Sequence, residues 1–280
     1  MGKAVKQSES IADWSSDLLD IANSAPELDM ESISAPSLKK IKSKIETALR
    51  HLSDISAKLD PVKQPNSVFD PSNPEAVGRV VAMALLSQPK TGLSVIPRFY
   101  GAGVYAIYYT GPFSAYAPLS GSDHPIYVGK ADPESAKARN PLEQGEKLCK
   151  RLKEHLKSIQ KATNLDASDF QCRFLVVASG WQEAAERYLI NLYKPIWNKE
   201  TKICYGIGKH GDSADTRGNK RSPWDTMHAG REWAGQTVVD QIPHEKIIEM
   251  LSTHFNTNPP IVDKQQAVDT FLSEMCQHHG

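Results

Sequence analysis

GAGVYAIYYTGPFSAYAPLSGSDHPIYVGK, residues Gly101–Lys130, is the stretch on which the fold turns. Gly103–Tyr109 is rich in β-branched and aromatic residues and reads as a strand, and Pro125–Gly129 is a second such run. Between them lie Gly, Pro and Ser residues suited to a hairpin connection. Each run sets a tyrosine close to a glycine: Gly103-Val104-Tyr105 in the first, Tyr127-Val128-Gly129 in the second. Gly, Val and Tyr are common strand residues, so the meaning of the pair depends on the segments around it.

Downstream, Glu143–Gln160 reads as a helix with Leu148, Leu152, Leu156 and Ile159 as its buried stripe. Arg151 and His155 are four residues apart and project from one face. Phe170–Val177 reads as a third strand. Trp181–Tyr193 reads as a second helix, with Ala184, Ala185, Tyr188, Leu189 and Leu192 inward, and it stops where Lys194 meets Pro195. Residues 199–223 are polar, basic and glycine-rich and are expected to hold no buried element; they read as a solvated loop or one that orders on DNA. Trp224–Trp233 reads as semi-ordered, and two structural helices follow at 244–254 and 264–277.

Upstream, residues 75–87 form an apolar helix, and four prolines in 61–74 mark a linker. Leu38, Ile41, Ile45, Ala48, Leu52, Ile55 and Leu59 alternate spacings of three and four, a heptad seam capped by Ser37 and stopped by Pro61. The seam suits either an oligomerisation coiled coil or a helix packed on its own domain. Residues 9–23 add a short amphipathic helix. The expected organisation is a helical extension over 1–62, a linker and packing helix over 63–98, a core with a DNA-contacting loop over 99–235, and C-terminal helices over 236–280.

With 40% hydrophobic and 24% charged residues the chain reads as globular. No apolar run reaches the roughly 20 residues of a membrane helix, and the N-terminus lacks a secretory apolar segment, so cytoplasm is the expected compartment and no membrane partner is expected. Cys149, Cys172, Cys204 and Cys276 are widely spaced, which suits buried thiols and not a zinc site. Net charge is zero, which argues against coating nucleic acid by bulk charge, but the charge is polarised: residues 1–35 carry net −5 and residues 147–161 carry net +5.

In the order β-β-α-β-α the chain presents Tyr105, Tyr127, Arg151 with His155, Glu186 and Asn198. This order resembles the GIY-YIG nuclease superfamily. GAGVYAIYYTG, PIYVGKA, Arg151-x-x-x-His155, the run from Glu186 to KPIWN, and His228-Ala229-Gly230-Arg231-Glu232-Trp233 resemble a bacterial type II restriction subgroup, in particular the branch that cuts CCGCGG. The resemblance covers roughly residues 99–235. It implies a mixed α/β (α+β) fold with a small antiparallel β-sheet flanked by helices, behind an N-terminal helical extension. It also implies a loop between the tyrosines, carrying Tyr109, Phe113 and Tyr116, that wraps DNA.

The residue types suit the chemistry on their own. Glu186 is a hard oxygen ligand for one Mg²⁺ that keeps several waters. Arg151 offers a donor fork matched to phosphate. Tyrosine is a weak base unless cations such as Arg151, Lys130 or the metal favour its phenolate, and His155 could pass the proton on. Tyr105 with His155 is assigned to water activation and Tyr127 to orientation; Tyr127 with Lys130 is the other base pair the sequence allows. Asn198 is expected to fix the tyrosines or the glutamate by hydrogen bonding. Lys147, Lys150, Lys209, Arg217, Lys220, Arg221 and Arg231 are the candidate DNA contacts, by base or by phosphate.

The expected function is a Mg²⁺-dependent endonuclease for double-stranded DNA, with no small-molecule cofactor. A palindrome calls for a homo-oligomer, a dimer or, through the heptad helix, a tetramer. The alternatives are a structure-specific repair or mobile-element nuclease of the same superfamily, a catalytically silent DNA-binding assembly protein, and a plain interaction protein built on its coiled coil.

Overall fold

The computed structural model describes residues 2–24, 33–59, 62, 70–208, 220–236 and 239–277, with side chains between residues 12 and 275. The chain divides into two compact units, residues 1–64 and 65–280. The first contains α1 (Gly2–Asn23), longer than expected at its start, and α2 (Ala35–Leu59), the heptad segment. No residue of α2 is buried, and its seam residues Ile41 and Ile45 are 38% and 50% exposed.

The second unit opens with α3 (Pro74–Ser87). Asn73 caps it by accepting from the Glu75 N–H, and proline occupies the first turn, where no N–H is missed. A four-stranded antiparallel sheet follows, made of β1 (Thr91–Gly92), β2 (Gly103–Tyr109), β3 (Tyr127–Ala131) and β4 (Phe170–Val176) in the order β1-β4-β2-β3. The helix expected over 143–160 is two helices, α4 (Pro141–Gln144) and α5 (Lys147–Lys161). Gly145, at φ +74°, turns the chain between them, a conformation that favours glycine. Then come α6 (Gln182–Tyr193), β5 (Lys220–Arg221), α7 (Pro223–Met227), α8 (Glu232–Gly235), β6 (Val239–Asp240), α9 (His244–Thr257) and α10 (Lys264–Gln277). Among the described residues no helix is long and apolar enough to cross a membrane.

All seven residues of β2 are buried because the sheet is covered on both faces. The pleat sends Tyr105, Ile107 and Tyr109 to one side, against Leu148, Leu152 and Ile159 of α5. It sends Val104, Ala106 and Tyr108 to the other, against Leu85 of α3 and Ala185 and Leu189 of α6. β3 is an edge strand, yet side chains and loop cover its outward polar groups. The Trp197 N–H donates to Ile126 O at 3.1 Å, and Asn198 both accepts from Val128 N and donates to Val128 O, at 2.9 and 2.8 Å.

Two expectations are corrected. The aromatics expected to wrap DNA pack into the core instead: Tyr109 and Tyr116 are buried, and the partly buried Phe113 packs on Tyr116. The segment after Asn198 is not wholly solvated either, since Ile203, Cys204 and Ile207 are core residues. Trp224 is fully buried in α7. Cys149, Cys172 and Cys204 are buried free thiols, as expected of them; the side chain of Cys276 lies outside the described residues.

Candidate active site

The tyrosine strands set the geometry. Tyr105 of β2 pairs in register with Gly129 of β3. A Cβ on Gly129 would sit 2.5 Å from Tyr105 Oη and 2.9 Å from Tyr127 Cε1. Glycine is therefore what lets the Tyr105 phenol cross β3 and meet Tyr127. The two rings lie 6.0 Å apart between centroids.

Helix α5 supplies the next groups. His155 stands in the buried stripe with Leu148, Leu152 and Ile159, at spacings of four, three and four, and is 1% exposed. Leu156, expected in that stripe, is only partly buried. The turn from Leu152 to His155 brings Nε2 to 2.7 Å from Tyr105 Oη, and the imidazole packs 4.8 Å from the Tyr127 ring. Arg151, one turn earlier on α5, lies against both phenols and is held from the side by Glu154, Nη1 to Oε2 at 2.9 Å.

Helix α6 and the edge of β3 close the site from the other face of the sheet. Glu186 and Lys130 line a cleft of 510 Å³ together with Tyr127, Asp132, Lys147, Lys150, Arg151 and Glu154. Lys130 Nζ is 3.2 Å from Asp132 Oδ1 and 3.6 Å from Glu183 Oε2. Asp132 is itself held by the buried Gln182, Nε2 to Oδ1 at 3.1 Å.

The electrostatics follow from burial. Burial pushes the Tyr105 phenol well above 10 and the Tyr127 neighbour adds to this, while Arg151 pulls down without prevailing. Tyr127 is raised for the same reason, with Arg151 opposing and Glu186 assisting. Arg151 favours both phenolates, as expected of it, but burial outweighs it and both phenols are protonated near neutral pH. Burial raises Glu186 to about 7, against the pull of Lys130 and its backbone N–H. Burial opposes the Lys130 charge, but Asp132 and the Glu183 and Glu186 carboxylates outweigh it and raise that pKa. Lys130 is thus a fixed cation.

Residues 97–255, more than half of the chain, match the family model described as the Eco29kI GIY-YIG domain. The chain belongs to this family of GIY-YIG restriction endonucleases. The matched span contains every sheet strand but β1 and all of the cleft residues named above. No curated protein matches the chain.

Tyr127, Arg151, Lys130 and Glu186 line this cleft, and Tyr105 and His155 lie buried directly behind Tyr127 and Arg151. Asn198 bonds the Val128 backbone, next to Tyr127 on β3, so it holds the strand and not a tyrosine or glutamate side chain directly. Lys147 and Lys150 line the cleft, Lys147 at 3.3 Å from Glu134. Lys220 is exposed on β5, and Arg221 pairs with Asp240 at 2.7 Å. Lys209 and Arg217 lie outside the described residues. Arg231, expected at DNA, is 4% exposed and committed to Asp225 and two backbone carbonyls, so it cannot reach a base or phosphate. Asp132, Gln182, Glu154 and Gly208 were not anticipated. Only Glu154 had a local signal, three residues beyond Arg151 on one helix.

Proposed function

We propose that the protein is a type II restriction endonuclease that hydrolyses double-stranded DNA at a short GC-rich palindrome, CCGCGG. The observation that carries the reading is the Tyr105–His155 hydrogen bond directly behind Arg151 and Tyr127, which line one cleft with Glu186 in a restriction-family domain. Tyr105 holds the attacking water and gives its phenolic proton to His155 Nε2 as it takes one from the water. This concerted transfer avoids a standing phenolate that burial disfavours. Arg151 binds a phosphate oxygen through its fork, and Tyr127 orients the phosphate. Lys130, charged and held by Asp132, adds positive potential where negative charge develops.

Glu186 is proposed to hold one Mg²⁺. The residues fit such an ion: a hard carboxylate lines a roomy cleft, and its charge is destabilised by burial in a way a cation would relieve. Among the described residues no group of three or more His, Cys, Asp or Glu side chains could hold a metal, so Glu186 is proposed as a single protein ligand. Bound there, magnesium supplies charge stabilisation at the phosphate and leaving oxygen.

One site cuts one strand, so a palindrome is matched by a two-fold dimer. The exposed seam of α2 suits further assembly, and Lys147, Lys150, Lys220 and Arg221 suit phosphate contacts. Plasmid carrying CCGCGG, incubated with the protein and Mg²⁺, tests the reading against Glu186→Gln and EDTA controls. Discrete bands with ends in CCGCGG, absent from both controls, are expected. Bands at another site would overturn the assignment of sequence, preference for branched DNA would favour a repair or mobile-element nuclease, and binding without cleavage would sink the mechanism.

A further inference from the structure

We propose that buried Arg231 and the backbone at Gly208 form a brace that positions Arg151 for the reaction; this rests on the nuclease reading above. Arg231 lies 3% exposed against Asp225, 1% exposed, with Nε to Oδ1 at 2.6 Å. The other oxygen of Asp225 accepts from Ser222 Oγ. Arg231 Nη1 donates to Ile207 O at 2.9 Å and Nη2 to Gly206 O at 3.0 Å. Its guanidinium lies over the rings of Trp224 and Trp233, 4.5 and 4.9 Å from their centroids.

The brace then crosses to α5. Ile207 O also accepts from Ser158 Oγ at 3.3 Å, and the Ile207 side chain is a core anchor. Residues 206 and 207 are therefore fixed from two directions. The next residue, Gly208, lies on the active site: a Cβ there would stand 2.8 Å from Arg151 Nη2 and 3.8 Å from His155 Cε1. Glu154 holds Arg151 from another side. The guanidinium is thus confined between Glu154 and the braced loop, aimed at the two phenols.

The choice of residue at 231 supports a positioning role. A buried ion pair is costly to desolvate, and packed apolar residues often serve stability as well. The planar fork reaches a carboxylate and two successive carbonyls from three separate nitrogens, a span that the single nitrogen of lysine does not match. Among the described residues, no other side chain bonds the Gly206 carbonyl in the contacts seen here. Arg231 touches no reacting atom; it acts through Gly206–Gly208 on Arg151.

Two variants test this from opposite ends. Arg231→Lys keeps the charge facing Asp225 but loses the carbonyl bonds. Gly208→Ala comes closer than 3 Å only to Nη2, the far end of the Arg151 side chain, and meets His155 at ordinary contact distance, so it moves Arg151 while sparing the fold. Single-turnover cleavage is expected to fall roughly 100-fold in either, as for a misplacement of about 1 Å. DNA affinity should change by less than about threefold, the size of a weak contact. The His155 Cε1–H NMR signal should shift in both variants in the absence of DNA. On an Arg151→Ala background, either substitution should change the rate by less than about twofold, because groups acting as one unit are not additive. An unshifted His155 signal, an unchanged rate in Gly208→Ala, or a full multiplicative loss on Arg151→Ala would overturn the brace. If Arg231→Lys does not fold, Gly208→Ala decides alone. If the wild type cleaves no DNA, the nuclease reading fails, and the His155 signal still reports on the brace.

Discussion

Among the described residues two tyrosine–histidine pairs are joined by hydrogen bonds in the core, and they are nearly the same pair. Tyr105 meets His155 at 2.7 Å and Tyr116 meets His228 at 2.6 Å, all four residues being buried. Burial holds both phenols well above 10. Their surroundings differ. Asn164 donates to Met227 O through Nδ2, so its Oδ1 accepts from His228 Nδ1–H and leaves Nε2 to accept from Tyr116. Tyr116 Oη in turn accepts from Trp197 Nε1–H at 3.0 Å and lies 3.3 Å from Cys204 Sγ. The His228, Tyr116 and Trp197 protons of that network each have a protein acceptor. Tyr105 instead borders Arg151 and Tyr127, which line an open cleft. A buried tyrosine–histidine pair is thus a structural unit by default; a neighbouring cation and access to a substrate give it chemistry to do.

Removing the pair hydroxyls separates the two regions most sharply. Tyr105→Phe and His155→Ala are expected to lower cleavage by about 10²–10⁴, the range for losing a positioned acid or base. Tyr116→Phe should keep the rate of the folded protein within a few fold and show its effect as a lower thermal midpoint. Single-turnover cleavage beside thermal melting decides this. Equal loss of cleavage from both tyrosines would break the comparison.

Acid should find the sealed pair next. Burial lowers His228 to about 3, with Arg231 contributing, and His124 to about 4. A histidine kept neutral in the fold binds fewer protons than the unfolded chain below its ordinary 6.5. Its stabilising contribution is therefore complete above about 6.5 and is lost as pH falls toward 3–4. For His228 that loss is on the order of 4 kcal/mol across the window. Urea midpoints should fall steeply from pH 7 to 4.5 in the wild type. His228→Gln should start about 2 kcal/mol lower at pH 7, for its broken hydrogen bonds, and follow a flatter course. Parallel pH courses would show that His228 is not held neutral.

The contrast also marks what the sequence could disclose. The strands bearing Tyr105 and Tyr127, the helices bearing Arg151 and Glu186, and their order are local patterns of period and spacing, and the sheet has them as expected. His155 was recognised as a candidate but placed outside the stripe it occupies, because histidine is polar and Leu156 offered an apolar alternative. Tyr116 was placed at DNA by the family resemblance and Arg231 by residue type. Their burial depends on partners 24–112 positions away: His228 for Tyr116, and Gly206 and Ile207 for Arg231. The role of Asn198 was hidden likewise, since its partner is a backbone edge 70 residues earlier. Pairing that fills a buried donor or acceptor leaves no periodic trace.

Glu186 gives a smaller and opposite pH signature. Its folded pKa, about 7, lies above the ordinary carboxylate value of 4.5, so the fold binds more protons than the unfolded chain between those values. Stability is highest below 4.5 and declines as pH rises through 7. The full shift corresponds to about 3 kcal/mol, and partial exposure of the group reduces it to roughly 2. Glu186→Gln in EDTA should therefore melt a few degrees higher than the wild type at pH 8 and no higher at pH 4.5. Adding Mg²⁺ at pH 8 should raise the wild type toward the variant. A variant advantage at low pH instead would reverse the assigned sign.

The finest difference between the two regions is what lies outside them. The cleft beside Tyr105 is rimmed by Lys147 and Lys150 on α5, and Lys150 is exposed. If Lys150 neutralises one phosphate, Lys150→Ala should reduce the slope of log affinity against log salt by about 0.9 while weakening all DNA sequences alike. Cleavage per bound complex should change little, because a rim charge steers association and leaves Tyr105, His155 and Arg151 in place. Arg231→Lys should leave that slope unchanged, since its guanidinium faces Asp225 and backbone carbonyls in the interior. Filter binding from 50 to 200 mM salt separates the two: an altered slope from Arg231 or none from Lys150 would redraw the boundary between the surface that meets DNA and the interior that holds the site.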